Sequence, residues 1–318
     1  MPGGVPVPPS QIFPGYAIIY RPCGVGRQGQ RTAMCHSITV MNAKGGVGKS
    51  TLVLTIAETL ATYHGKRVLV VDSDAHASLS SMLISPNWFA ILQDKQRTFV
   101  DYLIKAVLDA DPASWRTFIV SGVSDVDDAR SIDLLLGGGH LTLFEREVSK
   151  LNREGDLRLA IRTFLAEARE TYDLVLIDSA PGLSVLTECW LREADFCLTP
   201  SKPDYLSTRG LQFLQSFGQR DADMGFATML GVIISMKDPY AREDEDFDRW
   251  LRHNIKAGCF KQAIPRSTAL QNAAHFSVIA RSYRAKYPGN TGRVLCEIAD
   301  ELLDRLAKAK ARAPRAVA

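Results

Sequence analysis

The stretch Asn42-Ala43-Lys44-Gly45-Gly46-Val47-Gly48-Lys49-Ser50-Thr51 decides the reading of this chain. It lies between an apolar run, 38–41, and a segment with apolar residues at helical spacing, 52–63. Strand, glycine-rich turn and helix in that order form the context of a phosphate-binding loop. Glycines let backbone N–H groups curl around a polyphosphate without Cβ clashes, and the helix that follows presents its positive N-terminus. Gly45, Gly46, Val47 and Gly48 supply that cradle, Lys49 a point charge for the phosphates and Ser50 a hydroxyl for Mg²⁺. The usual pattern has a glycine five residues before Gly48 and no lysine at position 44. This chain has Ala43 and Lys44, so Lys44 is a second cation with no role in the ordinary loop.

Working outward, a short β-branched run at 67–71 ends in Asp72-Ser73-Asp74, and the run 173–178 ends in Asp178 before Ser179-Ala180-Pro181-Gly182. Carboxylates at the C-terminal ends of buried parallel strands lie beside the phosphate loop of an open α/β sheet. The second has the form of a Walker B strand, whose terminal acid reaches Mg²⁺. Further strands are expected at 132–136, 196–199, 230–235 and 259–264. Helices are expected at 52–64, 98–108, 141–151, 157–169, 185–192, 206–217 and 294–306. Strands alternating with helices indicate an α/β fold: a doubly wound, mostly parallel sheet with helices on both faces.

At 318 residues and 46% hydrophobic content the chain can bury a sizeable core. Six cysteines form no C-x-x-C pair and no zinc-like spacing with histidine, which points to reduced thiols in a cytoplasmic protein. No apolar run approaches the ~20 residues that span a bilayer, and no signal-peptide pattern opens the sequence. The net charge of +3 is unevenly spread. From Arg249 to Cys296 there is no acid, while nine Lys and Arg residues fall there. Residues 1–33 are Pro/Gly-rich without periodicity and have two readings: a disordered extension, or sequence upstream of a translation start at Met34. Residues 34–307 then form one domain, and 308–318 a basic tail.

Lys44 to Thr51, Val71 to Asp74 and Tyr172 to Pro181 together resemble the ParA/MinD family of deviant Walker ATPases. Ala194 to Gly210 and Ile264 to Leu270 are similar to later stretches of that family, so the resemblance spans roughly residues 36 to 307. It implies ATP and Mg²⁺ as cofactors and a homodimer in the ATP state, with Lys44 crossing to the partner's nucleotide. It implies Asp74 as the switch acid that orients the attacking water and Asp178 as the acid near Mg²⁺. Lys44, Lys49, Asp74 and Asp178 are thus the expected catalytic set, and Ser50, Asp74 and Asp178 the metal set. Thr51 bonds the α-phosphate or helps start the helix. Asp72 shares the metal's surroundings or caps a turn. Pro265 and Arg266 flank the base. The chain departs from the family at Ala75-His76, where Pro-Gln is common, and at Ser235, where an adenine-contacting asparagine is frequent. His76 reads either as a pH-sensitive group or as a partly buried neutral histidine.

Within the family, iron–sulfur carriers need cysteines that this chain lacks, and membrane-positioning relatives need an amphipathic end more apolar than Ala307 to Arg315. No stable membrane anchor is therefore expected. The acid-free basic run suits the partitioning branch, which binds DNA without reading bases. Arg281, Arg284, Lys286 and Arg293 are the expected phosphate contacts. The reading is a cytoplasmic, nucleoid-associated partition ATPase with a ParB-like partner that stimulates hydrolysis. Its alternatives are a relative that positions another cargo, and a scaffold that binds nucleotide without hydrolysing it.

Overall fold

Runs of aliphatic residues buried on both faces form the strands, as a parallel sheet covered on both sides requires. In chain order these are β1 (His36–Val40), β2 (Val68–Ser73), β3 (Ile119–Val120), β4 (Ile132–Leu135), β5 (Leu174–Ser179), β6 (Phe196–Ser201) and β7 (Thr228–Ile234). They form a seven-stranded sheet in the order β3-β4-β2-β5-β1-β6-β7, parallel except where β3 runs against β4. The computed structural model describes residues 35–109, 111, 113–220, 225–255 and 257–312. The expected extension at 1–33 and the last six residues of the expected tail lie outside the described residues.

The helices are α1 (Lys49–His64), α2 (Ser78–Leu83), α3 (Pro86–Asp94), α4 (Phe99–Leu103), α5 (Leu141–Lys150) and α6 (Glu154–Thr171). They continue with α7 (Val185–Glu193), α8 (Tyr205–Arg220), α9 (Arg242–Asn254), α10 (Thr268–Ala273), α11 (Tyr283–Lys286) and α12 (Asn290–Arg312). Alternate residues of β2 divide between two cores. Val68 and Val70 pack with Leu52 and Leu60 of α1 and Ile298 and Leu302 of α12. Leu69 and Val71 pack with Ile161 and Phe164 of α6 and Trp190 of α7. The doubly wound sheet with helices on both faces is what the sequence pattern implied.

Four local differences have physical causes. The expected helix at 98–108 is split, with α4 started by a Thr98–Asp101 capping box and continued as a wider π-type turn through Leu108. Residues 259–264 do not form a strand. Phe260 N and Ile264 N donate to β7 carbonyls, but Lys261 N turns to the Glu301 carboxylate and interrupts the ladder. The acidic segment after β7 is the helix α9, whose first turn carries Glu243, Asp244 and Glu245, favourable at the positive end of a helix. The last helix runs through Arg312, so the first part of the expected tail is helical.

The basic run is free of acids in sequence but not in space. Lys286 is fully buried and its Nζ donates to Glu58 Oε1 at 2.7 Å and Asp125 Oδ1 at 2.6 Å. Tyr287 donates its hydroxyl to Glu58 Oε2 at 2.6 Å, and Arg281 pairs with Asp125 Oδ2 at 2.8 Å. Lys286 therefore cannot reach a phosphate on the surface, and Arg281 is largely committed to Asp125, which corrects two of the four expected DNA contacts. Arg284 and Arg293 remain exposed, the latter paired with Glu297. Replacing Lys286 by alanine leaves Glu58 buried without a cation and Asp125 with Arg281 alone, so a loss of about 3–5 kcal/mol is expected in urea unfolding. A loss near zero would show that the cluster carries no structural load.

Candidate nucleotide-binding site

The loop between β1 and α1 is held from beneath by its second residue. Asn42 is fully buried; its Nδ2 donates to Pro200 O at 2.8 Å and its Oδ1 accepts from Lys44 N at 2.9 Å. A Cβ at Gly210 on α8 would lie 2.8 Å from Asn42 Oδ1, so glycine there lets the helix approach the loop. Gly46 and Gly48 adopt φ of +70° and +86°, and nothing lies within 4 Å of a Cβ at Gly45 or Gly46. The cradle is open on the side where phosphates would lie, and a side chain at Gly46 or Gly48 would strain the backbone. Val47 is buried, and its carbonyl accepts the Ser235 hydroxyl at 2.8 Å.

Lys49 begins α1 and is 7% exposed. Burial holds its ammonium below the usual lysine range, against the opposing pull of Asp178 and Asp74. Register places Asp72 of β2 beside Asp178 of β5. Asp178 is wholly buried, and neither of its oxygens has a hydrogen-bond partner among the described residues. Burial first, then the neighbouring Asp72, pushes the Asp178 carboxyl well above its usual range, while Ser50 and Lys49 pull the other way. An orphaned acid facing a lysine and a serine at a loop of free amides has the donor chemistry for a hydrated Mg²⁺. Among the described residues no three carboxylate, imidazole or thiol side chains cluster as a cage.

Asp72 resolves to the capping reading. Its oxygens accept from Asp74 N at 3.3 Å, Ser80 N at 2.8 Å and Ser80 Oγ at 2.6 Å, and burial raises its carboxyl to about 6. Asp74 adds its charge to the pull on Lys49 and accepts from His76 N at 3.0 Å, with His76 Nδ1 at 2.9 Å. The His76 side chain is 83% exposed, not partly buried.

Lys44 lies at the loop's outer edge, where its Nζ donates to both oxygens of Asp204 at 3.1 Å. Asp204 also accepts from Ser207 N at 2.7 Å, starting α8. Burial opposes its ionisation, but those bonds hold its carboxyl below the usual range. Sequence reading gave Asp204 no role. A Pro-Asp before a helical run is a capping signal, but nothing local reveals a partner 160 residues away. Beyond the loop, a cleft of about 660 Å³ is lined by Gly48 and Thr51 on one side and Pro265 and Arg266 on the other. Asp238 and Asp244, which the sequence reading did not single out, line it as well.

This geometry defines a P-loop nucleotide-binding protein with two lysines on its loop. A family model described as AAA domain matches residues 35–221. The chromosome-partitioning ATPase Soj of Treponema pallidum is 28% identical over 262 residues, covering 80% of this chain and 93% of the relative. The chromosome partitioning protein ParA of Myxococcus xanthus is 28% identical over 269 residues, covering 84% and 87%. The apo structure of Cyanothece McdA superposes with a TM-score of 0.66 at 16% identity, covering 86% of this chain and 99% of that one. Cobyrinic acid a,c-diamide synthase from Mycobacterium smegmatis, solved with an ATP analog and magnesium, gives 0.65 at 25% identity, covering 86% and 97%. The chain belongs to the AAA domain family and is of the ParA/MinD type.

The Gly210→Ala variant tests the packing that shapes the loop. Its added methyl displaces Asn42 by overpacking, so a net loss of about 1–3 kcal/mol is expected even though alanine favours helix. Thermal unfolding at unchanged or raised midpoint would contradict this account of the loop's support.

Proposed function

We propose that this chain is an ATP-driven partition ATPase that forms a dimer around two Mg·ATP and binds DNA without sequence preference in that state. The observation that carries the reading is the pair of lysines at one loop, Lys49 buried where the Asp178 charge acts on it and Lys44 at the open edge. ATP brings the phosphoryl group and Mg²⁺ the charge that offsets its oxygens. Loop amides from Gly45 to Gly48 and Lys49 bind the phosphates, while Ser50 and Asp178 hold the hydrated ion. Thr51 stands where α1 meets the α-phosphate, Pro265 and Arg266 flank the base, and Asp74 orients the attacking water.

Lys44 acts on the second chain's nucleotide, so hydrolysis requires dimerisation, as with a charge supplied in trans. Its present bond to Asp204 is compatible with that transfer. The pair is partly exposed, at 29% and 41%, and such pairs are worth about 0–1 kcal/mol, a small cost to break. DNA binding rests on Arg284 and Arg293, and a ParB-like protein is the partner that stimulates turnover in a cytoplasmic, nucleoid-associated cycle.

The test is fluorescence anisotropy of a DNA duplex with ADP, ATP and a slowly hydrolysed ATP analogue across a salt series. Binding is expected with the analogue, weakened steeply by salt and by Arg284→Glu. Lys44→Ala is expected to bind ATP yet stay monomeric in light scattering. DNA affinity indifferent to nucleotide and salt would contradict the DNA reading, and a Lys44→Ala variant that dimerises normally would contradict the role of that lysine.

A further inference from the structure

Asp74 is carried on a turn that is fixed within itself. Its carbonyl accepts from Ala77 N at 2.9 Å and its carboxylate from His76 N at 3.0 Å. Where this turn stands against the phosphate loop therefore depends on the end of β2, and that end is held on both faces of the sheet. On the face shared with Val68 and Val70, Asp72 accepts from Ser80, a contact made within eight residues. On the face shared with Leu69 and Val71, Ser73 Oγ accepts from Trp190 Nε1 at 2.8 Å, a contact made across 117 residues. Both side chains are buried. An indole N–H only donates, and it is costly to leave unpaired in a dry interior. The ring is fixed besides: it stacks on Phe99 at 5.8 Å between centroids and meets Phe164 edge-on at 6.3 Å. Trp190 belongs to α7, the helix that follows the turn after Asp178. One bond thus joins that helix to the strand end that carries Asp74.

We propose that Trp190 is a positioning residue for hydrolysis: through Ser73 it fixes the end of β2, and with it Asp74, relative to the turn that follows Asp178. The inference rests on the ATPase reading above and adds to it a residue on the sheet's other face. Attack in line with the leaving group tolerates little error in the water's place, and a misplacement of about 1 Å can cost about a hundredfold in rate. The phosphate loop is supported from elsewhere, by Asn42 on Pro200 O and by Ser235 on Val47 O. Loss of the Trp190–Ser73 bond therefore slows the chemical step and leaves nucleotide binding intact.

Ser73→Ala removes the acceptor and Trp190→Phe the donor, each leaving the other group buried without its partner; the double variant removes both. Single-turnover hydrolysis of Mg·ATP by the full chain, calorimetric titration with a slowly hydrolysed ATP analogue, and thermal unfolding read the outcome. Each single variant is expected to lower the hydrolysis rate about tenfold or more, with analogue affinity within about twofold of wild type. The double variant separates positioning from packing, because replacing both partners of a buried bond by apolar groups can be nearly neutral for stability. It is expected to unfold at a higher midpoint than Trp190→Phe alone and yet to hydrolyse no faster. A rate that recovers along with the midpoint, an affinity that falls in step with the rate, or single variants that hydrolyse at the wild-type rate would each overturn the proposal. A wild type that binds the analogue but does not hydrolyse ATP would overturn the ATPase reading itself, and this role with it.

Discussion

The buried, unpartnered carboxylate of Asp178 is the constraint around which this molecule is arranged. An ionised acid in a dry interior is costly unless a cation or donors meet it. The fold brings such groups to it from separate elements: Lys49 and Ser50 from the start of α1, and the acids of β2 from the neighbouring strand. Position in the sheet makes this possible. β5 lies between β2 and β1, so the end of one strand faces both the phosphate loop and the second acidic turn. Asp72 is satisfied by Ser80 and its own turn, whereas Asp178 is left open. The acid that stays unsatisfied is the one a metal would complete.

A second electrostatic pair sits at the loop's edge and gives it a free-chain state. Lys44 rests on Asp204, and Asp204 in turn starts α8, the helix that Gly210 brings against Asn42. The outer lysine, the loop floor and this helix are therefore mechanically joined. Movement of Lys44 toward another chain would leave Asp204 with its capping bond from Ser207 N.

The alternation of strands and helices, the loop and the position of both acids at strand ends were legible because each is written locally, within a strand and the turn that follows it. What was misread is non-local. Lys286 looked like a surface cation because its partners, Glu58 and Asp125, lie 228 and 161 residues away in sequence. The same holds for Arg281. The helix α9 was hidden by composition, since its strongly charged sequence buries little beyond Asp248 and Leu251. Asp238 and Asp244 entered the site only through the folding of that helix beside β7, which no motif announces. The strand expected at 259–264 failed because one amide in it answers to Glu301 on α12 instead of to β7.

The central claim is that Asp178 is kept open for a metal that arrives with nucleotide. Calorimetric titration of a slowly hydrolysed ATP analogue, with and without Mg²⁺, in wild type and Asp178→Asn, addresses it directly. The account predicts that Mg²⁺ tightens binding to wild type by about tenfold or more, and that Asp178→Asn keeps metal-free binding but loses most of that gain. Equal Mg²⁺ dependence in the two proteins would contradict it.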